Sequence, residues 1–262
     1  MERLENDCYY ADCQLKNKFI ENVSDSGKSL FFIPFAPQHP FIMKHTRVWD
    51  LPTRVFHWAL VVCVIGLVVT GSTGGNAMVW HFRLGYAVLT LLLFRLVWGV
   101  IGGKWSRFAS FIYSPSTLIK YIKGQGHVLH TVGHNPMGAL SVFALLTFLL
   151  LQVATGLISD DEIAASGPLT KFVSNATVSL ASSYHSAVGK RFIIALVLLH
   201  VIAILFYVFK KRENLIKPMI HGDKLLPQDI PASRDDAGAR LTAVVVFSLC
   251  AGVVYGLVAL GA

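Results

Sequence analysis

The sequence is poor in charge, and acidic residues are the scarcer kind. Only 15% of its 262 residues are charged, against roughly 25% in a typical soluble domain, and 54% are hydrophobic. Lys and Arg number 23 and Asp and Glu 15, for a net charge of +8. The basic residues are spread between long apolar blocks and form no single basic face, so the composition indicates a membrane protein and not a nucleic-acid-binding protein.

Cysteine motifs and nucleotide-binding motifs are also missing. The four cysteines are scattered, with no C-x-x-C or C-x-x-C-H, which removes the basis for a thiolate zinc site or for covalent haem attachment. No phosphate loop and no G-x-G-x-x-G after a strand occurs. Nothing in the sequence indicates an activated nucleophile, so any chemistry has to come from a cofactor.

Five apolar segments are present, each long enough to cross a membrane as an α-helix. A helix is required because hydrocarbon offers no water to the backbone groups. The predicted spans are 56–72, 82–101, 137–158, 187–209 and 241–262. We therefore expect an all-α integral membrane protein, with a four-helix transmembrane bundle followed by a fifth, C-terminal transmembrane helix.

The loops between these segments predict the orientation. The segments "GSTGGNAMVW" and "SDDEIAASGPLTKFVSN" hold no base and one lysine, respectively. The other junctions are basic: Lys44, Arg47 and Arg54 precede the first span, Lys104, Arg107, Lys120 and Lys123 follow the second, and Lys210, Lys211 and Arg212 follow the fourth. By the positive-inside rule the N-terminus is cytoplasmic and the C-terminus periplasmic, as expected in a bacterial cytoplasmic (inner) membrane.

Four domain-level segments are expected. Residues 1–42 have neither a helical period nor a signal-peptide layout, and three prolines interrupt their one apolar stretch. They are either a disordered cytoplasmic tail or an upstream extension, with Met43 as the biological start. Residues 43–224 form the main transmembrane domain, 225–240 a cytoplasmic linker, and 241–262 the last helix.

Histidines inside apolar helices are the main functional signal, because imidazole is costly in hydrocarbon. The fourth span lies in "YHSAVGKRFIIALVLLHVIAILFY", which has His185 at its mouth and His200 deep inside. These two residues are 15 apart, roughly 22 Å along a helix and about 60° beyond four full turns, so both rings face the same side. His57 opens the first span on the inner side, and His81 opens the second on the outer side.

The four histidines therefore form two pairs by depth, His81 with His185 near the outer face and His57 with His200 near the inner face. Two stacked sites with two imidazoles each are what bis-histidine ligation of two b-type haems (iron protoporphyrin IX) needs. Any single histidine could instead be an interfacial or core residue bonded to a carbonyl. A mononuclear metal site is a weaker alternative, because no acidic partners lie at the same depths.

Several separated motifs resemble the bacterial cytochrome b561 family, which includes the b-type cytochrome subunit of nickel–iron hydrogenases. They are "RVWDLPTRVFHW", "HFRLGY", "FRLVWGVIGG", "GHNPMGALSV", "YHSAVG", "LLHVIAILFY" and "NLIKPMIHGDK", and together they cover residues 44–224. The resemblance implies a membrane cytochrome with two haems b, whose ligand positions match His57, His81, His185 and His200. The first 42 residues and the last helix lie outside the matching motifs.

Basic residues near the predicted haem depths are candidates for pairing with haem propionates. Arg95 and Arg54 are candidates on the inner side; Arg83, Lys190 and Arg191 are candidates on the outer side. For Arg95 the alternative is an arginine that reaches the lipid headgroups. His134, just before the helix-start pair Asn135 and Pro136, is interpreted as structural rather than as a ligand.

Haems at two depths form an electron path across the bilayer, so the favoured function is electron transfer between the quinone pool and a redox partner. That partner is a periplasmic or membrane protein, either a c-type cytochrome or a hydrogenase-like enzyme. The alternatives are a membrane-anchor subunit of a hydrogenase-like complex and a stand-alone quinol oxidoreductase that uses a small oxidant. A proton-relaying transporter is less favoured, since intramembrane carboxylates and inverted repeats are lacking. Membrane lipid is an expected partner and nucleic acid is not.

Overall fold

A computed structural model describes residues 43–126, 128–163, 165–227 and 230–261. The expectations for residues 1–42, including a start at Met43, concern a segment outside the described residues. Five helices are long and apolar enough to cross a membrane, which confirms the predicted multi-pass helical protein.

The helices and strands follow in one order along the chain. They are β1 (Met43–Arg47), α1 (Leu51–Thr73), α2 (Met78–Ile101), α3 (Pro115–Ile122), α4 (Pro136–Leu157), α5 (Asn175–Ser183), α6 (Lys190–Phe209), α7 (Ile216–His221), β2 (Asp223–Pro227) and α8 (Ala237–Ala259). The spanning helices are α1, α2, α4, the continuous α5–α6 unit and α8.

Helix starts lie at capping residues. Asn135 caps α4 as expected, accepting a 2.7 Å hydrogen bond from the amide of Gly138. Helix α1 begins at Leu51, five residues before the predicted start, because Asp50 caps it and Pro52 occupies its first turn. Hydropathy misses this turn, since its polar side chains face protein partners instead of lipid.

The fourth span begins earlier than the predicted residue 187. Helix α5 starts at Asn175, and a π-helical turn at Tyr184–Gly189 joins it to α6 without a break. The whole unit runs over Asn175–Phe209. His185 therefore lies inside a continuous helix and not at its mouth.

Helix α2 is the centre of the bundle, and half of its most apolar window is buried. Helices α1, α4 and α8 pack against it, while α6 packs mainly against α4. The shared core includes Val88, Leu92 and Trp98 of α2, Leu149 of α4 and Val254 of α8. The last helix is therefore integrated into the bundle through α2.

A two-stranded sheet is the main difference from the all-α prediction. Strand β1 pairs antiparallel with β2, with Met43 opposite Pro227 and Arg47 opposite Asp223. The sequence pattern misses it because each strand is only five residues long and its partner is far away in sequence. Strand β2 also crosses the expected domain boundary at residue 224, so residues 225–227 are paired strand and not linker. We call this end of the bundle the sheet end, and the end that carries residues 158–174 the loop end.

Asp50 organises the sheet end, where its carboxylate is completely buried. It accepts hydrogen bonds from the amide of Thr53 (2.8 Å), the indole of Trp98 (3.2 Å), the amide of Gly103 (3.0 Å) and the hydroxyl of Ser106 (2.8 Å). A buried carboxylate is tolerable only when it is satisfied in this way. Asp50 thus joins the first two turns of α1, which carry Arg54 and His57, to the end of α2.

Candidate functional site

The predicted outer pair of histidines meets at the loop end of the bundle. The ring centroids of His81, in α2, and His185, in the π-helical turn, are 6.1 Å apart, and the ring planes are nearly perpendicular, at 88°. Because an imidazole nitrogen binds a transition-metal ion at about 2 Å, two rings that hold one ion from opposite sides have centroids about 6 Å apart. The observed spacing fits that arrangement.

Each of these two rings is fixed by a carbonyl of the facing helix. The Nδ1 atom of His81 is 3.2 Å from the carbonyl oxygen of Leu67, and that of His185 is 2.8 Å from the carbonyl oxygen of Gln152. The Nδ1–H group donates to the carbonyl in both cases, which leaves the Nε2 lone pair for a metal ion.

Two glycines permit the close approach of the rings. Gly71 and Gly156 each come four residues after the carbonyl that fixes the ring. A Cβ atom at Gly71 would lie 2.8 Å from Cε1 of His81, and one at Gly156 would lie 2.7 Å from Cε1 of His185. Any larger side chain would push the ring away from its partner.

Gln152 and His185 are tied by a reciprocal pair of hydrogen bonds. The backbone of Gln152 accepts from the His185 ring, and its side-chain Nε2 donates to the His185 backbone carbonyl at 2.9 Å. A π turn displaces carbonyls from their usual i+4 partners, and such turns occur often at functional sites. Gln152 therefore satisfies the turn that positions His185.

A cavity of about 660 Å³ surrounds the pair. Most of its lining is apolar and comes from α1, α2, α4 and α6, while Asp160, Asp161 and Lys190 contribute charge. The Lys190 ammonium donates a 3.1 Å hydrogen bond to the hydroxyl of Ser72 on α1. An apolar cavity with a few charged groups suits a flat, mostly apolar cofactor that carries acidic substituents.

The predicted inner pair lies at the sheet end. His57 of α1 and His200 of α6 lie within electrostatic range of each other. The Nδ1 atom of His200 is 3.3 Å from the hydroxyl of Ser141, whereas Nδ1 of His57 is buried and has no hydrogen-bond partner.

Two arginines near this pair also have unsatisfied polar atoms. Arg95 is only 3% exposed; its guanidinium lies 4.6 Å from the centroid of the Phe108 ring, and its Nη1 has no partner. Arg54 donates from Nη1 to the carbonyl of Ile220 at 2.6 Å, while its buried Nε has no partner. Guanidinium groups only donate, so these atoms require an acceptor that the described side chains do not supply.

Both ends have features that suit a mostly apolar cofactor with carboxylate substituents. Each end has two histidines from different helices, and at the loop end their ring centroids are 6.1 Å apart. The sheet end has buried donors that match carboxylates, and the loop end has an apolar cavity. Among the residues that the structure describes, no group of three or more His, Cys, Asp or Glu side chains is placed to hold a metal ion. His81 with His185, and His57 with His200, would instead supply two imidazoles each to a cofactor that carries its own metal ion.

Two predicted basic residues lie away from the cavity. Arg83 is exposed, with its guanidinium 5.1 Å from the centroid of the Trp80 ring, and Arg191 is exposed as well. Arg83 is two residues from His81, about 200° around the helix, and Arg191 is one residue past Lys190, about 100° further around. Of the three predicted outer basic residues, the structure brings only Lys190 to the cavity.

Asp50 and Gln152 are important residues that the sequence reasoning misses. The D-L-P sequence before α1 is a helix-start signal that identifies Asp50 as a cap. Nothing in the sequence indicates that Asp50 also binds the end of α2. Gln152 is the one amide side chain in an apolar helix, and its partner becomes visible only once the π turn is known.

Comparison with known proteins gives one family match. The model of the family described as prokaryotic cytochrome b561 matches residues 48–222. That region contains all four spanning histidines and ends before α8.

Curated relatives carry consistent names. The chain is 24% identical over 137 residues to an Escherichia coli (strain K12) protein named "Probable Ni/Fe-hydrogenase 1 B-type cytochrome subunit", covering 42% of this chain and 57% of that protein. Similarly named proteins are 24% identical over 213 residues in Rhizobium leguminosarum bv. viciae and 22% identical over 218 residues in Rhodobacter capsulatus. These alignments cover 68% and 70% of this chain, and 88% and 82% of the two relatives.

Proposed function

The chain belongs to the prokaryotic cytochrome b561 family, and on this premise we propose that it transfers electrons across the bilayer between the quinone pool and a redox partner. Family membership implies a b-type haem in a multi-pass membrane protein. The number of haems, their ligands and the two electron-transfer partners belong to the proposal.

We propose two haems b, one held by His81 and His185 and the other by His57 and His200. The observation that carries this proposal is the outer pair, whose 6.1 Å ring spacing, carbonyl-fixed Nδ1 atoms and glycine-cleared approach all favour axial ligation. When bound, haem iron supplies one-electron chemistry. The chain orients the imidazoles, keeps water out of an apolar bundle and sets the local charge.

Basic side chains are the proposed partners of the haem propionates. Arg95 and Arg54 serve the sheet end, where their unsatisfied donors require an acceptor. Lys190 serves the loop end, where it lines the cavity. Paired propionates stay ionised in these surroundings, because an adjacent cation offsets the cost of burying a carboxylate.

The proposed location is the bacterial cytoplasmic membrane, with the sheet end in the cytoplasm. The excess of Lys and Arg at this end of the predicted spans supports the orientation. Five crossings then put the C-terminus in the periplasm, and the two haems connect opposite halves of the bilayer.

The second candidate is a membrane-anchor subunit of a hydrogenase-like complex. The names of the curated relatives favour it, since each is called a B-type cytochrome subunit of a Ni/Fe-hydrogenase. Co-purification of a large periplasmic metalloenzyme would support this candidate. Turnover by the isolated chain with quinol and a small oxidant, or transfer to a c-type cytochrome, would favour the alternatives.

A haem count tests the core of the proposal. The full-length chain, purified in detergent after expression with ample porphyrin supply, should give a b-type reduced-minus-oxidised spectrum. A pyridine haemochrome assay should then find two haems per chain. Colourless protein would end the proposal.

His200→Ala tests the ligand assignment. We expect one haem per chain, because the inner iron loses an axial nitrogen while the outer pair is untouched. Electron paramagnetic resonance of the remaining haem should still show its bis-imidazole low-spin signal. A matched control, His221→Ala, changes a histidine of α7 outside the spanning helices and should retain both haems. Retention of both haems in His200→Ala would contradict the assignment.

A further inference from the structure

We infer that His134 donates a hydrogen bond to the same carboxylate as Arg95, namely a propionate of the inner haem. The inference rests on the proposed function, because it assumes a haem between His57 and His200. It gives His134, which the sequence suggests is structural, a part in cofactor binding as a positioning residue.

The location of His134 directs its ring into the sheet end. It precedes Asn135, the capping residue of α4, and its ring lies between two aromatic side chains. The ring centroids of His134 and Trp49 are 4.6 Å apart, and those of His134 and Phe111 are 4.4 Å apart. Both aromatic neighbours are buried, so the imidazole has little freedom to turn.

The Nδ1 atom of this fixed ring has no hydrogen-bond partner, although it is buried. Buried polar atoms in folded proteins are nearly always paired, and leaving one unpaired destabilises the folded state. His134 and Arg95 border the same aromatic pair: the His134 ring centroid is 4.4 Å from that of Phe111, the Phe111 and Phe108 centroids are 5.8 Å apart, and the Arg95 guanidinium lies 4.6 Å from the Phe108 centroid. The unpaired atom therefore belongs to the same region as the proposed inner haem.

Arg95 has a similar unpaired atom, Nη1, and its side chain is almost fully buried. With its proton on Nδ1, His134 is a donor like Arg95, and two donors that both lack an acceptor can share one that has several lone pairs. A carboxylate has about four such sites and is the natural partner of a guanidinium.

The negative charge of Asp50 acts on Arg95, but the carboxylate oxygens of Asp50 already accept other hydrogen bonds. Its two oxygens accept from the Thr53 amide, the Trp98 indole, the Gly103 amide and the Ser106 hydroxyl. Because the described side chains supply no acceptor for these atoms, we assign the shared acceptor to a bound group. A propionate from the inner haem meets the requirement of a carboxylate at that depth.

A purely structural role is the competing explanation for His134. Its ring packs between aromatic side chains, and its backbone carbonyl accepts a 2.8 Å hydrogen bond from the Tyr113 hydroxyl. Two substitutions separate the roles, because His134→Phe keeps an aromatic ring without a donor, whereas His134→Asn keeps a donor near Nδ1 without the ring.

The experiment is a spectroelectrochemical titration of the full-length holoprotein in detergent, with the outer haem as internal reference. In His134→Phe we expect the inner haem to become harder to reduce by about tenfold in its equilibrium constant, about 59 mV for a one-electron couple. The propionate keeps more of its negative charge when a donor is lost, which stabilises the ferric state. His134→Asn should restore most of the shift, and the outer haem should not move.

Arg95→Lys, alone and combined with His134→Phe, adds an independent readout. If both side chains hold one carboxylate, the two shifts in the inner potential should not add. A normal inner potential in His134→Phe together with a disturbed one in His134→Asn would establish the packing role and overturn the inference. Unchanged potentials in both variants would overturn it too. A wild-type protein without two haems would instead refute the proposed function.

Discussion

At the scale of single residues, the geometry of the outer histidine pair depends on two glycines as much as on the histidines themselves. Gly71 and Gly156 leave room for His81 and His185 against the facing helices. The carbonyl of the residue four positions earlier fixes each ring. The same arrangement occurs on α1 and on α4, so the two histidines approach the cavity in equivalent ways.

Gly71→Ala should therefore disturb the outer haem selectively. A Cβ atom there would lie 2.8 Å from Cε1 of His81, a distance that real Cβ atoms essentially never show. The imidazole is a rigid ring held by its carbonyl, so we expect a loss of half or more of the outer haem, with the inner haem retained. Haem stoichiometry and the difference spectrum of the purified variant measure this.

Gly252→Ala is the matched control, because a Cβ at this α8 glycine meets nothing within 4 Å. That variant should bind two haems like the wild type. An intact outer haem in Gly71→Ala would show that the ring can move aside, and it would weaken the steric argument.

The sequence identifies the four histidines as candidates, because a polar ring in an apolar helix is conspicuous without any structure. It does not predict the residues that hold them. Leu67 acts through a backbone carbonyl, and Gln152 acts through a turn that no periodicity shows. Arg83 and Arg191 are predicted from nearness in sequence alone, and helix geometry puts them on other faces.

At the scale of elements, the π turn between α5 and α6 alters the relation between two ligands. A 15-residue separation in a regular helix predicts an offset of about 60°. A single π turn accommodates about one extra residue. His185 and His200 are therefore related as if they were 14 residues apart in a regular helix, an angle roughly 40° short of four full turns. His185 and His200 still lie on the same broad side of the helix, but the angle between them depends on the π turn and not on regular helix geometry alone.

The connection between α8 and the rest of the sheet end depends on Asp235, whose side chain is 7% exposed. It accepts from the backbone amide of Leu51 at 3.0 Å and from the guanidinium groups of Arg47 and Arg240. Burial alone would raise the pKa of Asp235, but these hydrogen bonds and charges together lower it. One carboxylate thus joins β1, α1 and the start of α8.

Asp235→Asn should make the protein less stable and less sensitive to acid. Because the pKa of Asp235 is lower in the folded than in the unfolded chain, its contribution is complete above the ordinary carboxyl pKa of about 4. It is lost as the pH falls through the lower folded value. We expect the unfolding temperature in detergent at pH 7 to fall by about 2 to 4 °C, which corresponds to about 1 kcal/mol.

The difference between wild type and variant should shrink as the pH is lowered from 5 to 3. Glu162→Gln, in the exposed loop at the other end, is the control and should leave the midpoint unchanged. A constant difference at all pH values would mean that the charge of Asp235 is not responsible.

At the scale of the whole molecule, α6 is set apart from the rest of the bundle. It packs mainly against α4, and a 3.0 Å contact between the hydroxyls of Tyr207 and Tyr121 ties its sheet end to α3. His57, His81 and Lys190 lie on the boundary between α6 and the α1–α2 pair. Under the proposed function, the two haems fill this boundary and supply much of its contact.

Loss of haem should therefore loosen α6 more than any other spanning helix. We expect amide hydrogen exchange in α6 to rise about tenfold or more in protein from porphyrin-starved cells. Helix α8 is the internal reference, because it packs on α2 away from both histidine pairs. Equal increases in the two helices would show that haem stabilises the bundle as a whole and not this boundary.

Hydropathy predicts the number of spans and most of their limits, because hydrocarbon imposes length and polarity on every crossing. It cannot predict the sheet end. Strands β1 and β2 are short and rich in polar residues, and their pairing depends on contacts between distant parts of the chain. The bond between Arg47 and Asp223, for example, joins residues 176 positions apart.

That separation determines when the sheet can form during synthesis of the chain. A ribosome adds about 5–20 residues per second, so β1 emerges roughly 10 to 35 s before its partner strand exists. During this interval the four spans that precede β2 are synthesised, while β1 has no strand with which to pair. The sheet is therefore among the last parts of the nascent chain to form.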